Sequence, residues 1–228
     1  MSKVHVKIPD VLLREIMIDL RRPHKHAYER VGFCYGRSQL TDNGWIVVIS
    51  AYQPVRDEHY IKTREVGARI NSKAITAAIQ RAYTDQSSLF HIHLHDFGGG
   101  IPGFSFDDLK CARELIPSFQ SFIETQVHGA VVLSPDSFNC IAIVPDSTIL
   151  LPAAQVSVVG TLLRITFPDN KTGMGNRTNR YSRQEFLGQN SESIIKSLRV
   201  GVVGLSGGGS HIVQQTAHIG FEKYVLAD

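Results

Sequence analysis

The stretch from Phe90 to Asp108, FHIHLHDFGGGIPGFSFDD, decides how most of this chain folds. Successive side chains of a strand point to opposite faces. Phe90, Ile92 and Leu94 are therefore expected to enter a core, while His91, His93 and His95 line the other face. Past the glycine-rich loop, Ser105 followed three residues later by Asp108 reads as a capped helix start. Imidazoles gathered on one face, with a carboxylate a short loop away, form the donor set of a divalent transition metal.

Neighbouring histidines on one strand face stand about 6.6 Å apart along the backbone, and His91 to His95 about 13 Å. One ion can take two neighbours but not all three. His93 and His95, nearer the loop, are the better pair, with His91 a supporting or spare ligand. Asp108, opening a helix, can point back at the strand end as third ligand. Two histidines and one aspartate leave a position for water, which marks a catalytic rather than a structural zinc site, and such a site needs a general base. Blander readings exist for each part. Ser105 and Asp108 form a capping box that needs no chemistry, and alternating histidines often mark an exposed strand. Three facing histidines, the capping pair and the glycine loop together favour the metal.

Outward from this stretch, Val11–Leu20 places Leu12, Leu13, Ile16 and Leu20 at helical spacing and stops at Arg21-Arg22-Pro23. Val31–Tyr35 and Trp45–Val55 read as strands around the turn Thr41–Gly44. Ile75, Ala78, Ile79, Ala82 and Tyr83 mark the inward face of a second helix. A third, from about Phe106 to Phe122, turns Leu109, Ala112, Leu115, Ile116 and Phe119 inward. Val131–Ser134, Phe138–Val144 and Val156–Phe167 read as further strands. Residues 168–179, PDNKTGMGNRTN, are polar and aperiodic, and read as a linker. A short helical stretch (191–198), a buried strand (Arg199–Val203), a glycine-rich turn, a helix from about Ser210 to Ile219 and a strand Lys223–Ala227 then make a β-α-β unit. The 49 residues after the linker are few for an independent core, so this unit is expected to be an incomplete part of a larger domain.

The 228 residues are 43% hydrophobic and 20% charged, the composition of a soluble globular protein. A formal charge of +3, with no run of Lys or Arg, argues against nucleic acid or a membrane surface as partner. Cys34, Cys111 and Cys140 stand singly in apolar segments, which excludes a CxxC metal site and suits a reducing compartment. With no apolar signal core in MSKVHVKIPDV and no spanning-length apolar run, a cytoplasmic location is expected.

The region 1–167 resembles the JAB/MPN-type metalloproteases, the JAMM-motif isopeptidases acting on ubiquitin and ubiquitin-like conjugates. Their pattern is an upstream Glu, then HxH, then Ser-x-x-Asp; here HAYERVGFCYGR supplies the upstream element. The resemblance implies that Glu29 is the general base, that His93, His95 and Asp108 hold Zn2+, and that Ser105 stabilises the oxyanion. The chain carries Asp96 where the family usually has Pro, and the interval from His95 to Ser105 is longer than usual by about two residues.

Residues 180–228 resemble the start of a ThiF/MoeB-like, ubiquitin-activating-type adenylyltransferase domain. RYSRQ (180–184) and RVGVVGLSGGGSHIVQQTAHIGFEKYVLAD match its opening motif, nucleotide loop and second strand. The resemblance implies nucleotide contacts from Gly204, Gly207, Gly209, Arg183 and Asp228, with Ser206 where a glycine is usual. It also implies ATP and Mg2+ as cofactors of the complete domain only, and possible homodimerisation through it. The fold expected is thus α/β: a JAB/MPN-like mixed sheet sandwiched by helices, then an incomplete Rossmann-like β-α-β unit. The function expected is zinc-dependent isopeptidase or deubiquitinase-like hydrolysis of a ubiquitin-like or sulfur-carrier protein or its conjugates, with no adenylation by this truncated chain. The alternative is a ThiF-family adenylyltransferase whose JAB domain only binds.

Overall fold

The histidine strand lies near the middle of a nine-stranded mixed sheet in the computed structural model, which describes residues 3–23, 25, 27–62, 67–95, 100–161, 163–168 and 195–228. The chain divides into two compact units, Met1–Lys171 and Thr172–Asp228. In the first, the elements run β1 (Val4–Pro9), α1 (Asp10–Leu20), β2 (Val31–Thr41), β3 (Gly44–Pro54), α2 (Ser72–Asp85), β4 (Ser88–Leu94), α3 (Phe106–Phe122), β5 (His128–Leu133), β6 (Phe138–Ile143), β7 (Leu151–Pro152), β8 (Gln155–Val159) and β9 (Arg164–Thr166). The sheet order is β7-β6-β5-β4-β2-β3-β1-β8-β9. Pairings β4–β5, β1–β3 and β1–β8 are parallel, and the others are antiparallel.

The alternation in β4 sorts its side chains as the sequence leads one to expect. Phe90, Ile92 and Leu94 join a core with Leu13, Ile16 and Leu20 of α1 and the inward residues of β1, β3, β6 and β8. On the opposite face Leu89 packs with Phe33, Ala78, Ala82, Leu115 and Phe119, beneath α2 and α3. That second face is closed over by helices, so the histidines are not on an open strand surface. His93 is buried, while His91 and His95 are partly exposed.

Several expectations need correction. Val4–Pro9, a segment that the sequence alone assigns to no element, is a strand, buried on its even-numbered side, whose neighbours β3 and β8 are distant in sequence. Val156–Phe167 is not one strand but two, β8 and β9, which pair antiparallel. Tyr83 is 56% exposed, because alanines at 74, 78 and 82 carry the buried face of α2. The helix α3 has the expected limits and buries Ala112, Leu115, Ile116 and Phe119.

In the second unit, β10 (Arg199–Val203) and β11 (Lys223–Ala227) pair in parallel across α4 (Gly207–Ile219), which starts three residues earlier than expected. Of β10 only Val202 is buried, so the expected buried strand is largely exposed among the described residues. Most of the linker, the RYSRQ stretch with Arg183, and residues 191–194 of the expected short helix lie outside the described residues.

Candidate metal centre

Register brings the distant Glu29 to the histidines. In the antiparallel β2–β4 pair, Val31 stands opposite His93 and Phe33 opposite His91. The pairing ends there, and Glu29 lies two residues before Val31, in the turn that leads into β2. The turn is fastened from several sides. Arg30 is buried, ion-paired to Asp57 at 2.8 Å, and donates to the carbonyls of Arg22 and Pro23. Tyr60 Oη accepts from Val31 N–H at 2.9 Å and donates back to Val31 O at 3.2 Å. The carbonyl of Gly67 accepts from both Tyr28 N–H (2.8 Å) and Glu29 N–H (3.0 Å).

Sequence reasoning gave Gly67 no role, yet a Cβ at this position would stand 2.6 Å from Cδ of Glu29. The glycine therefore leaves room for the Glu29 carboxylate. A lone glycine between two unrelated segments carries no spacing signal that could have revealed this.

Asp108 reaches the site from α3. Ser105 caps that helix, its Oγ accepting from Asp108 N–H at 3.1 Å, while Ser105 N–H donates to Asp108 Oδ2 at 2.7 Å. The capping box and the metal reading are therefore compatible, because one carboxylate serves both. Asp108 Oδ1 lies 3.3 Å from His93 Nε2, Asp108 Oδ2 lies 3.5 Å from His95 Nε2, and the two Nε2 atoms are 3.2 Å apart. The chain leading into α3 is anchored as well: Asn139 Nδ2 donates to Pro102 O at 2.9 Å, and Ser137 Oγ donates to Gly100 O. These anchors lie in the β5–β6 region and were not foreseen either, since Ser and Asn beside a strand are ordinary turn residues.

The spacing of the two ring nitrogens fits neighbouring ligands of a small cation. Zinc takes nitrogen and oxygen ligands at about 2.0–2.2 Å, which puts neighbouring ligands about 3.3–3.6 Å apart in a tetrahedron. A carboxylate oxygen of Glu29 and one ring nitrogen each of His93 and His95 also lie within 4.8 Å of one another. Two carboxylates thus flank one imidazole pair, Asp108 nearly in contact and Glu29 close by. Nδ1 of His93 is buried with no hydrogen-bond partner among the described residues, and the ring's polar interactions with His95 and Asp108 are at Nε2.

Electrostatics agree with the geometry. Burial raises the pKa of Asp108, but hydrogen bonding and charge from His93, with the bonds from Ser105, outweigh it and hold the carboxyl below its usual range. Desolvation, and next the neighbouring His93, push His91 down to about 3, which leaves it a neutral imidazole. Its ring centroid is 5.8 Å from that of His93 and it packs edge-on to Phe33.

Glu29, His91, His93, His95, Ser105 and Asp108 line one cavity of about 670 Å3. The expected site residues of the first unit are therefore together. In the second unit, Gly204 has φ +83° and Gly207 φ +21°, and a Cβ at Gly209 would collide with the carbonyl of Gly204. Asp228 Oδ1 accepts from Leu205 N–H at 3.0 Å, tying the end of β11 to this turn. Arg183 is outside the described residues.

No protein-family model matches the sequence, and no curated protein matches it either. Among solved structures, the N-terminal domain of STIL from Trichoplax adhaerens is similar at a TM-score of 0.30 and 10% identity. The match covers 60% of this chain and 40% of that one, and at this TM-score it carries no argument about fold or function. No helix among the described residues is long and apolar enough to cross a membrane.

Proposed function

We propose that residues 1–167 form a JAB/MPN-like, zinc-dependent isopeptidase domain acting on a ubiquitin-like or sulfur-carrier protein or its conjugates. The observation that carries this reading is the pair of His93 and His95 ring nitrogens 3.2 Å apart, with a Glu29 oxygen within 4.8 Å of both rings and Asp108 oxygens at 3.3 and 3.5 Å from one ring each, all in one cavity. His93, His95 and Asp108 would hold zinc, which when bound supplies Lewis acidity and brings a water's pKa towards neutrality. Glu29 takes a proton from the attacking water and returns it to the leaving amine. Ser105 Oγ accepts from Asp108 N–H and keeps its own proton to donate to the developing oxyanion.

For residues 180–228 we propose the opening unit of a ThiF-like nucleotide-binding domain. Support comes from the glycine turn between β10 and α4, with Gly204 and Gly207 at positive φ, which leads directly into a helix N-terminus, a position suited to phosphate. Asp228, at the end of β11, would contact the ribose in that reading.

Substitution of Glu29 tests the first assignment. Glu29→Gln is expected to bind zinc as the wild type does while losing at least about 100-fold in release of a C-terminal extension from a ubiquitin-like protein. A variant that cleaves normally removes Glu29 from the chemistry. The position of Glu29 within 4.8 Å of both histidines also favours a second reading, in which both carboxylates coordinate and the site is a closed binding module. In that case Glu29→Gln loses zinc as well.

A further inference from the structure

The turn between β2 and β3 and the start of β1 bound an open concavity of about 810 Å3. It is remote from the candidate metal centre, because β2 runs from Val31 to Thr41 between the two, about 33 Å at the rise of a strand. Its floor is one side of β1 and the residue before it. In Lys3-Val4-His5-Val6-Lys7 the two valines enter the core, and Lys3, His5 and Lys7 line the concavity.

These cations lack a counter-charge. A charged residue on a sheet face gains from an opposite charge on the facing strand. Here His5 stands opposite Ile46 of β3 and Gln155 of β8, and Lys7 opposite Val48 and Ser157, none of them acidic. Both lysines are exposed, and neither makes an ion pair among the described residues. One acid, Asp42 at the tip of the β2–β3 turn, lines the concavity. Nε2 of His5 is buried with no hydrogen-bond partner among the described residues. A polar atom left in that state costs free energy, so a ligand that pairs it is favoured.

Lys3 and Lys7 are about 13 Å apart along the strand, with His5 midway. A lysine stem reaches about 6 Å, so both ammonium groups can close on one anion above the imidazole. Asn43 adds a neutral amide from the turn, and Leu40 and Ile46 supply apolar flanks. Donors outnumber the single carboxylate, which suits a ligand with several negatively charged oxygens. We propose that this concavity binds a small oligophosphate anion, with Lys3 and Lys7 on its outer oxygens and His5 Nε2 donating from the floor. The site is independent of the hydrolase reading.

The test is a calorimetric titration of the full chain with sodium tripolyphosphate at fixed ionic strength, the protein freed of metal so that chelation by the probe gives no heat. Lys3→Ala and Lys7→Ala are each expected to weaken binding about tenfold, and the double variant to abolish it. Asp42→Asn removes the one repelling charge and should tighten it. Lys73→Ala, at an exposed lysine on α2, is the control and should bind as the wild type does. No binding to the wild type overturns the site. Binding that survives in the double variant belongs elsewhere, such as the glycine turn of the second unit, and overturns the location. A loss in Lys73→Ala equal to that in Lys7→Ala reduces the effect to general charge, and overturns it too. Should one lysine variant fail to fold, the other and Asp42→Asn still decide.

Discussion

At the scale of single residues, the site depends on side chains with two tasks. Asp108 closes the capping box of α3 and faces both histidines. Asp108→Asn keeps an oxygen for Ser105 N–H but loses the charge, so zinc affinity is expected to fall at least about tenfold with little change in melting of the metal-free protein. Asp108→Ala loses both, and should cost a further ~1 kcal/mol of stability through the lost cap. Thermal melts in chelator, set beside zinc titrations, separate the two effects. Gly67 acts differently, because it holds Glu29 through its carbonyl and its missing side chain. Gly67→Ala is expected to lower kcat about 10- to 100-fold while zinc content stays at the wild-type level. Unchanged turnover would show that the Glu29 carboxylate does not need this neighbour.

At the scale of elements, β4 is held to its neighbours by a histidine outside the site. His128, at the start of β5, accepts from Leu89 N–H at Nδ1 (3.1 Å), and its Nε2 meets Ile123 O at 2.8 Å. Burial pushes its pKa down to about 4, only partly offset by these backbone bonds. The unfolded chain binds this proton near pH 6.5 and the folded chain only near 4. The contribution is therefore complete above 6.5 and lost as pH falls from 6.5 towards 4, by about 1.4 kcal/mol per unit at most. His91, displaced in the same direction, adds to that slope in metal-free protein. His128→Gln can keep both bonds without titrating, so denaturant melts of this variant between pH 7 and 4 should be flatter than those of the wild type. An identical slope would assign the acid sensitivity elsewhere. The helix α3 is placed by contacts at both ends of its approach: the capping box fixes its first turn, and Asn139 and Ser137 fix the strand of chain before it.

At the scale of the molecule, every residue of the candidate metal centre comes from the first unit. A chain ending at residue 168 is therefore expected to melt cooperatively and to bind zinc with the affinity of the whole chain. Calorimetry and a competitive zinc titration on the two lengths check this, and a loss of more than about tenfold on shortening would show that the centre is incomplete without residues 169–228. In the second unit the exposed strands β10 and β11 offer no comparable enclosed cluster among the described residues, and its glycine turn is a backbone feature rather than a side-chain site.

Local chemistry was legible in the sequence wherever it repeats at a short interval. The two-residue period of Phe90 to His95 set which side chains face the core, the Ser105–Asp108 spacing marked the start of α3, backbone distances limited one ion to two neighbouring histidines, and nearness to the loop favoured His93 with His95. Strand pairing between distant segments left no such trace. The β2–β4 register that carries Glu29 to the histidines, the insertion of β1 between β3 and β8, and the closeness of Gly67 to Glu29 depend on which segments meet.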